Sequence, residues 1–353
     1  MMRMDFTKKL LGWNRIHNKR SMPWKGEQNP YRIWISEIIL QQTRVEQGLA
    51  YYEKFIARFP TIMDLAKAPE QEVFKYWEGL GYYTRCRNLI ATAKKIAFER
   101  NGHFPSSYPE ILKLQGVGPY TAAAIASFAF GLPYVVVDGN VERVIARYFG
   151  ISEPVGTAAG KKLFNGIAEN LLDVKQPAVF NQAIMDFGAT VCKPKNPLCA
   201  VCVQAKNCQA FQKGLTNELP VKKQAITRKK RWLYYFIINA GKDSIWIRER
   251  TKKDIWQNLF EFVLFETGKI IPQDELQRAP FFQDNFGKLG FRIQHISSAY
   301  SQTLTHQSIT GYFVHLNKPL VKLAGYQPVS RNKLSEYPFP KIITDYLKIS
   351  NPL

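Results

Sequence analysis

Apolar residues recur at helical spacing through the first 213 positions of this chain. Pro60–Leu80, Leu89–Arg100, Pro109–Gln115, Pro119–Phe130, Val141–Phe149 and Ala159–Leu172 carry the pattern, with Gly and Pro between them. Six or more short helices predict an all-α globule. From Leu215 to Arg231 the periodicity breaks into a polar stretch ending Val221-Lys-Lys-Gln-Ala-Ile-Thr-Arg-Lys-Lys-Arg231, which has no apolar face to bury. It reads as a linker able to touch phosphate. Beyond it the residue choice changes. Trp232–Ile238, Ser244–Arg248, Leu259–Phe265 and Thr310–Leu316 are short runs rich in Ile, Val, Tyr, Phe and Trp, bounded by Gly, Asp, Asn and Lys. They predict strands. The expected organisation is a mostly α region over 1–213, a basic linker over 214–231 and an α+β domain over 232–353, without repeats or low-complexity tracts.

Composition adds a partner class. Of 353 residues, 46% are hydrophobic and 13% aromatic, enough for two sizeable cores. Lys and Arg total 49 against 28 Asp and Glu, a net charge of +21, which suits a chain that meets a polyanion. The charge is interleaved with aromatics, as at Tyr82, Tyr83, Arg85 and Arg87, so nucleic acid is the expected partner. No window approaches the roughly 18 apolar residues of a membrane span, and no amphipathic anchor stands out, so a soluble protein with no membrane partner is expected.

Cysteine use is concentrated. Four of five cysteines form Cys192-x6-Cys199-x2-Cys202-x5-Cys208, while the fifth, Cys86, reads as a spare residue in a helix. A disulfide framework fits poorly with an odd count and with a basic Met1–Arg20 that lacks the apolar stretch of a secretory leader. Metal ligation is the expectation, and with it a reducing compartment, cytoplasmic or nuclear. Four thiolates suit tetrahedral zinc or a [4Fe-4S] cluster. A single Cys-x2-Cys flanked by longer arms departs from the paired couples of structural zinc sites, and a cubane with one ligand per iron corner accommodates it.

Three further segments carry chemistry. Lys113-Leu-Gln-Gly-Val-Gly-Pro-Tyr-Thr-Ala-Ala-Ala-Ile125 places a glycine turn, Gly116-Val117-Gly118, between two helices, with Pro119 at the first position of the second. Such a turn presents backbone donors and a helix N-terminus to a phosphate, and the alanines permit close helix packing; an ordinary helical hairpin would read the same. Glu37 lies in Tyr31-Arg-Ile-Trp-Ile-Ser-Glu-Ile-Ile-Leu-Gln-Gln-Thr43. Between Ile33 and Leu40 only Ser36 and Glu37 are polar. If that helix faces a cleft, desolvation raises the Glu37 pKa towards that of a general acid; otherwise Glu37 points to solvent. Asp138, in Val135-Val-Val-Asp-Gly-Asn-Val-Glu-Arg-Val144, precedes a helical run and reads as an N-cap whose carboxylate is held ionised by backbone N–H groups. One protonated and one charged carboxyl is the pairing of glycosidic bond cleavage.

Glu37 in its Ser-Glu-Ile-Ile-Leu-Gln-Gln-Thr context, Gly79-Leu-Gly-Tyr-Tyr-Thr-Arg-Cys-Arg-Asn-Leu89, the glycine hairpin, the Asp138 segment and the cysteine run together resemble the helix-hairpin-helix, iron-sulfur DNA glycosylases, in the branch that excises adenine. The resemblance covers the first 213 residues in order. It implies a helix-hairpin-helix over about 109–130, a [4Fe-4S] loop at 192–208 that is structural and brings lysines to phosphate, and base excision of adenine mispaired with 8-oxoguanine or guanine in duplex DNA. In the related endonuclease III branch a lysine attacks the sugar at the position of Tyr120. Tyr120 therefore implies a monofunctional enzyme that leaves an abasic site.

By the same resemblance, Glu37 protonates adenine and later handles water, Asp138 stabilises the cationic sugar, and Tyr120 and Asn140 support them. The base must be flipped out; Gln42, Leu80 and Tyr82 match wedge positions, and Trp24, Leu40, Val45 and Gln182 match the adenine pocket. The C-terminal domain resembles a Nudix-like module that recognises 8-oxoguanine. Gly268–Gly290 lacks the Arg-Glu-x-x-Glu-Glu metal cluster of a Nudix hydrolase, so recognition alone is expected. Leu304-Thr305-His306 stands where the family often has Phe-Ser-His; Thr305 keeps the hydroxyl and His306 is retained. A monomer in the cytoplasm is expected. A bifunctional, endonuclease III-like enzyme and a non-catalytic DNA-binding protein are the alternatives.

Overall fold

The structure, a computed structural model, describes residues 2–222, 227–320 and 322–349. Two compact units emerge: Met1–Lys67 with Asn88–Gln224, and Ala68–Arg87 with Ala225–Leu353. The segment 68–87, expected within the helical region, packs with the second unit. Part of the basic linker, 223–226, lies outside the described residues. No described helix is long and apolar enough to cross a membrane.

The helices are α1 (Met2–His17), α2 (Pro30–Leu40), α3 (Val45–Arg58), α4 (Ile62–Lys67), α5 (Glu70–Trp77), α6 (Tyr83–Glu99), α7 (Tyr108–Leu112), α8 (Pro119–Phe130), α9 (Gly139–Phe149), α10 (Ala158–Leu171), α11 (Pro177–Thr190) and α12 (Gln209–Gln212). The expected helix over 60–80 is two, α4 and α5, because Pro69, the N-cap of α5, cannot continue a helix that reaches it. In the helical unit, α1, α9, α10 and α11 share a core of Phe6, Leu10, Val144, Tyr148, Phe164, Phe180 and Phe187, against which Cys192, Cys202 and Cys208 pack. Phe6 and Tyr148 meet edge to face at 4.7 Å. Each such buried ring stabilises by roughly 1.5–3 kcal/mol. Ala122, Ala123, Ala124 and Ala126 of α8 are buried and let it sit against α2 and α11.

In the second unit the strands are β1 (Lys229–Ile237), β2 (Ser244–Glu249), β3 (Phe260–Glu261), β4 (Val263–Thr267), β5 (Ile293–Ile296), β6 (Tyr300–Thr303), β7 (Gln307–Leu316) and β8 (Gln327–Ser330). One sheet runs β4-β1-β7-β5 with β6 also on β7, and a smaller one runs β3-β2-β8. The β1–β7 pair is parallel, Leu233 opposite Gly311, and a Cβ on Gly311 would meet Ile342 Cδ1 at 2.8 Å. Ile342 belongs to the C-terminal helix α15 (Lys341–Ile349), preceded by the short α13 (Gln273–Leu276) and α14 (Pro280–Asn285). Strands β5 and β6 escape a reading by pattern, since neither holds a fully buried residue.

Arg231, expected at the end of the linker, is instead a buried residue of β1. Its Nε and Nη2 each donate to Glu266 at 2.7 Å, and Nη1 donates to Gln307 Oε1 at 2.9 Å. Asp254 bridges Arg231 and Arg250, Glu261 bridges Arg250 and Arg248, and the Arg231 and Arg250 guanidiniums lie 5.8 and 5.7 Å from the Trp256 ring. The carboxylates fix this arginine, so it is not a phosphate contact.

Candidate active site and metal-ligand loop

A cleft of about 460 Å3 in the helical unit gathers Trp24, Glu37, Leu40, Gln42, Val45, Tyr120, Asp138, Asn140 and Gln182, along with Arg20, Ser36, Phe128 and Met185. Helix α2 delivers Glu37. Asn29 caps it by accepting from Tyr31 N and Arg32 N, with Pro30 next, so an apolar helix enters the core with one carboxyl inside. Glu37 is 7% exposed. Burial pushes its pKa up to about 7; the Tyr120 hydrogen bond pulls it down and the charge of Asp138 adds to the rise. The alternative in which Glu37 points to solvent does not hold.

Asp138 caps α9. Its Oδ1 accepts from Asn140 N at 2.9 Å and Val141 N at 2.8 Å, and its Oδ2 accepts from Asn140 Nδ2 at 2.6 Å. The expectation that capping alone holds this pKa below its ordinary value is corrected: burial outweighs the bonds from Val141 and Asn140 and the charge of Arg143, and the direction is upward. The two carboxyls still differ. At Asp138 several donors and a guanidinium oppose burial, while at Glu37 a single phenol does. Asp138 is therefore the carboxyl whose surroundings better accommodate a negative charge. Burial, with the charges of Glu37 and Asp138, drives the Tyr120 phenol well up, so Tyr120 acts as a neutral donor.

Helix α11 supplies residues that the sequence reading missed. Asp186, fully buried, accepts from Asn18 Nδ2 at 2.8 Å, Arg20 Nη1 at 2.9 Å, Lys25 Nζ at 3.0 Å and Gln182 Nε2 at 3.0 Å. It thereby fixes the segment around Trp24 and orients Gln182. Asn181 accepts from Val136 N at 3.1 Å and donates to Ser127 Oγ at 2.9 Å and Tyr134 O at 2.8 Å, tying down the extended run into Asp138. Arg143 donates to Asn140 Oδ1 at 2.8 Å, Gly188 O at 2.7 Å and Cys192 O at 2.7 Å. At Gly188 a Cβ would lie 2.7 Å from Asn140 Cβ and 2.8 Å from Asn140 O, so only glycine lets α11 approach here. Polar residues on otherwise apolar helix faces were the available signal.

The glycine hairpin is exposed at Gly116 and Gly118, and no side chain caps α8. Val117 differs: its side chain is buried and its N–H donates to Leu114 O at 3.1 Å, so that donor is spent. Gly116 has φ +78° and a Cβ there would meet Asn88 Cβ at 2.6 Å; Asn88 also accepts from Gln115 Nε2 at 3.0 Å. Asn88 braces the turn.

All four cysteines line one small pocket with Arg147, Leu198 and Phe211. Among the described residues no group of His, Cys, Asp and Glu is arranged as a single-ion site. Burial, then the neighbouring Cys192, Cys208 and Cys199, lifts the Cys202 thiol to about 11; Cys199 and Cys208 are also raised. Backbone N–H groups of Gln204 and of Phe211 and Ala210 point at Cys202 and Cys208. Four soft donors around one small pocket, three of them costly to ionise without a cation, fit a metal centre that deprotonates its ligands.

In the second unit, Tyr82 and Thr305 come together, Oη to Oγ1 at 2.6 Å. Thr305 and His306 are exposed in the turn between β6 and β7. Tyr82 is 44% exposed with φ +49°, and Gln42 in the helical unit has φ +55°; both hold the left-handed backbone that L-residues disfavour. Leu80, the third wedge candidate, is 7% exposed, so it cannot intercalate without leaving its packing.

Residues 35–166 match the HhH-GPD superfamily base excision DNA repair protein family, and residues 234–348 match the NUDIX domain. The chain is 38% identical over 265 residues to the adenine DNA glycosylase of Buchnera aphidicola subsp. Baizongia pistaciae, covering 75% of each chain. It is 42% identical over 218 residues to the adenine DNA glycosylase of Homo sapiens, covering 59% of this chain and 40% of that one. A thermostable thymine-DNA glycosylase structure aligns with TM-score 0.55 at 33% identity, covering 60% of this chain and 97% of the other.

Proposed function

We propose, on the premise that this chain belongs to the adenine DNA glycosylase family, that it hydrolyses the N-glycosidic bond of adenine mispaired with 8-oxoguanine or guanine and leaves an abasic site. The observation that carries this reading is a buried carboxyl with its pKa near 7, Glu37, sharing a cleft with a capped carboxylate, Asp138. Glu37 in its protonated form donates to the leaving adenine, which departs neutral. Asp138, ionised, faces the oxocarbenium-like sugar and stabilises its charge. Water then adds to the sugar, its proton passing to the Glu37 carboxylate. Tyr120 holds Glu37 by a hydrogen bond and offers no amine to the sugar, so no Schiff base forms. Trp24, Leu40, Val45 and Gln182 line the pocket for the base.

Adenine reaches the cleft only when flipped from the duplex. Tyr82 and Gln42, exposed and held in left-handed conformation, are the wedge residues we assign; Gly116 and Gly118 take the backbone phosphate. Thr305 and His306 read 8-oxoguanine, and the second unit serves recognition without hydrolysis, while the helical unit is catalytic. Cys192, Cys199, Cys202 and Cys208 hold a [4Fe-4S] cluster, which when bound orders their loop so that Lys193, Lys195 and Lys206 meet phosphates. The protein works as a monomer in the cytoplasm.

The test is a duplex carrying adenine opposite 8-oxoguanine, with an adenine–thymine control, followed for strand breaks with and without alkali. Alkali-dependent breakage at the mispaired adenine alone is expected. Breakage before alkali, with a covalent adduct trapped by borohydride, would favour the bifunctional alternative.

A further inference from the structure

We propose that Arg147 is the counter-cation of the cysteine-held centre, a positioning residue that retains the metal by its charge. The inference rests on the cluster reading above and concerns this chain's own residue. Arg147 lies in α9, one turn beyond Arg143, and is 2% exposed. Its Nε donates to Leu219 O at 2.9 Å, its Nη2 to Pro194 O at 3.2 Å, and its Nη1 to Lys193 O at 2.7 Å and Cys192 O at 3.5 Å. The same Nη1 lies 3.4 Å from Cys192 Sγ. Every described partner of the guanidinium but that sulfur is a neutral carbonyl, and no carboxylate is among them. Its neighbour Arg143 differs, since it also donates to the Asn140 side chain and has the Asp138 carboxylate near, although burial still pushes its pKa down.

A guanidinium taken out of water is costly unless an anion answers it. With carbonyls as the other partners of the guanidinium, the answer must come from the cysteine side, where Cys192 Sγ is in contact. A Cys192 thiolate within a thiolate-rich metal centre supplies it, and the N–H···S contact strengthens because donor and acceptor are both charged. Without that anion, Arg147 becomes an uncompensated buried cation wrapped in the loop's own carbonyls. Metal retention and the buried charge then depend on each other. Helix α9 carries Asp138 at one end and Arg147 two turns in, so the residue that balances the metal centre belongs to the same rigid element as the residue that faces the sugar.

Two variants of the full chain separate charge from hydrogen bonding. Arg147→Lys keeps the cation and loses the planar fork; Arg147→Gln keeps an amide donor for the carbonyls and loses the charge. The readout is the rate of iron release to a ferrous chelator from protein purified with its metal, alongside iron and sulfide content. The expectation is that Arg147→Gln releases iron at least about tenfold faster than wild type, with Arg147→Lys slower than Arg147→Gln. Iron held by Arg147→Gln as well as by Arg147→Lys, or better, would reduce Arg147 to a brace for carbonyls and overturn the proposal. If neither variant is isolated with metal, reconstitution of both apoproteins with iron and sulfide carries the same contrast: greater uptake by Arg147→Lys supports the counter-cation, and equal uptake overturns it. Wild-type protein that holds no iron sinks the cluster reading itself, and the counter-cation falls with it.

Discussion

Glu261 in the second unit is 2% exposed and is answered by Arg248 and Arg250; Glu37 in the helical unit is 7% exposed and is answered by one phenol. Asp254, partly buried, and Glu266, exposed, are likewise paired with guanidiniums. Asp138 stands between the patterns, bonded to backbone N–H groups of its own helix and feeling Arg143 from beyond Asn140. Burial is nearly equal at Glu261 and Glu37; the partners differ. A buried carboxylate matched with arginines holds elements together through its ion pairs. A buried carboxyl left with a neutral donor keeps its proton within reach of neutral pH, which is the condition for proton transfer.

The contrast predicts opposite phenotypes for one chemical change. Glu37→Gln should reduce adenine excision by about a hundred- to ten-thousand-fold while duplex binding, followed by a gel shift, stays intact; excision at near wild-type rate would place Glu37 with the structural carboxyls. Glu261→Gln should do the reverse, lowering stability by about 3–5 kcal/mol in denaturant unfolding while the excision rate of folded protein is unchanged, because it leaves Arg248 without its anion and the partly buried Arg250 with only Asp254, which it shares with Arg231.

A smaller effect sharpens the same distinction through stability. The folded pKa of Glu37 lies near 7, above its ordinary unfolded value of about 4.3. The native state therefore prefers the protonated form. That contribution is complete below the unfolded pKa and is lost as pH rises through about 7. Above that pH, Glu37→Gln should be more stable than wild type by up to about 3 kcal/mol, and equal melting temperatures at high pH would mean the carboxyl is not desolvated. Smallest is Tyr120→Phe, which removes the one contact that lowers the Glu37 pKa. Its pH limb for excision should move up by about one unit, and a downward move would mean that Tyr120 favours the protonated form.

Local signals in the chain reached far. Asp138 capping α9 and Pro119 opening α8 both act within one helical turn, and with α2 these segments bring Glu37, Asp138 and Tyr120 into one cleft. What escaped the sequence depends on distant partners. Asp186 holds Arg20 and Lys25 from more than 160 positions away, and Arg231 looked like linker because its acids lie far along the chain, Glu266 on β4 and Asp254 in the loop between β2 and β3. The direction of the Asp138 pKa was misjudged for a related reason: a cap is visible in sequence, whereas the burial that outweighs it comes from the whole unit. Strands β5 and β6 carry no apolar alternation because neither buries a residue fully.

The most direct test is the single-turnover rate of adenine excision from an adenine–8-oxoguanine duplex as a function of pH, for wild type beside Glu37→Gln. The account predicts a wild-type rate that falls with unit slope above a pH near 7, the pKa of the buried carboxyl, and a variant inactive throughout. A wild-type rate that is flat or rising through that range, or a variant that retains the same limb, would contradict Glu37 as the acid.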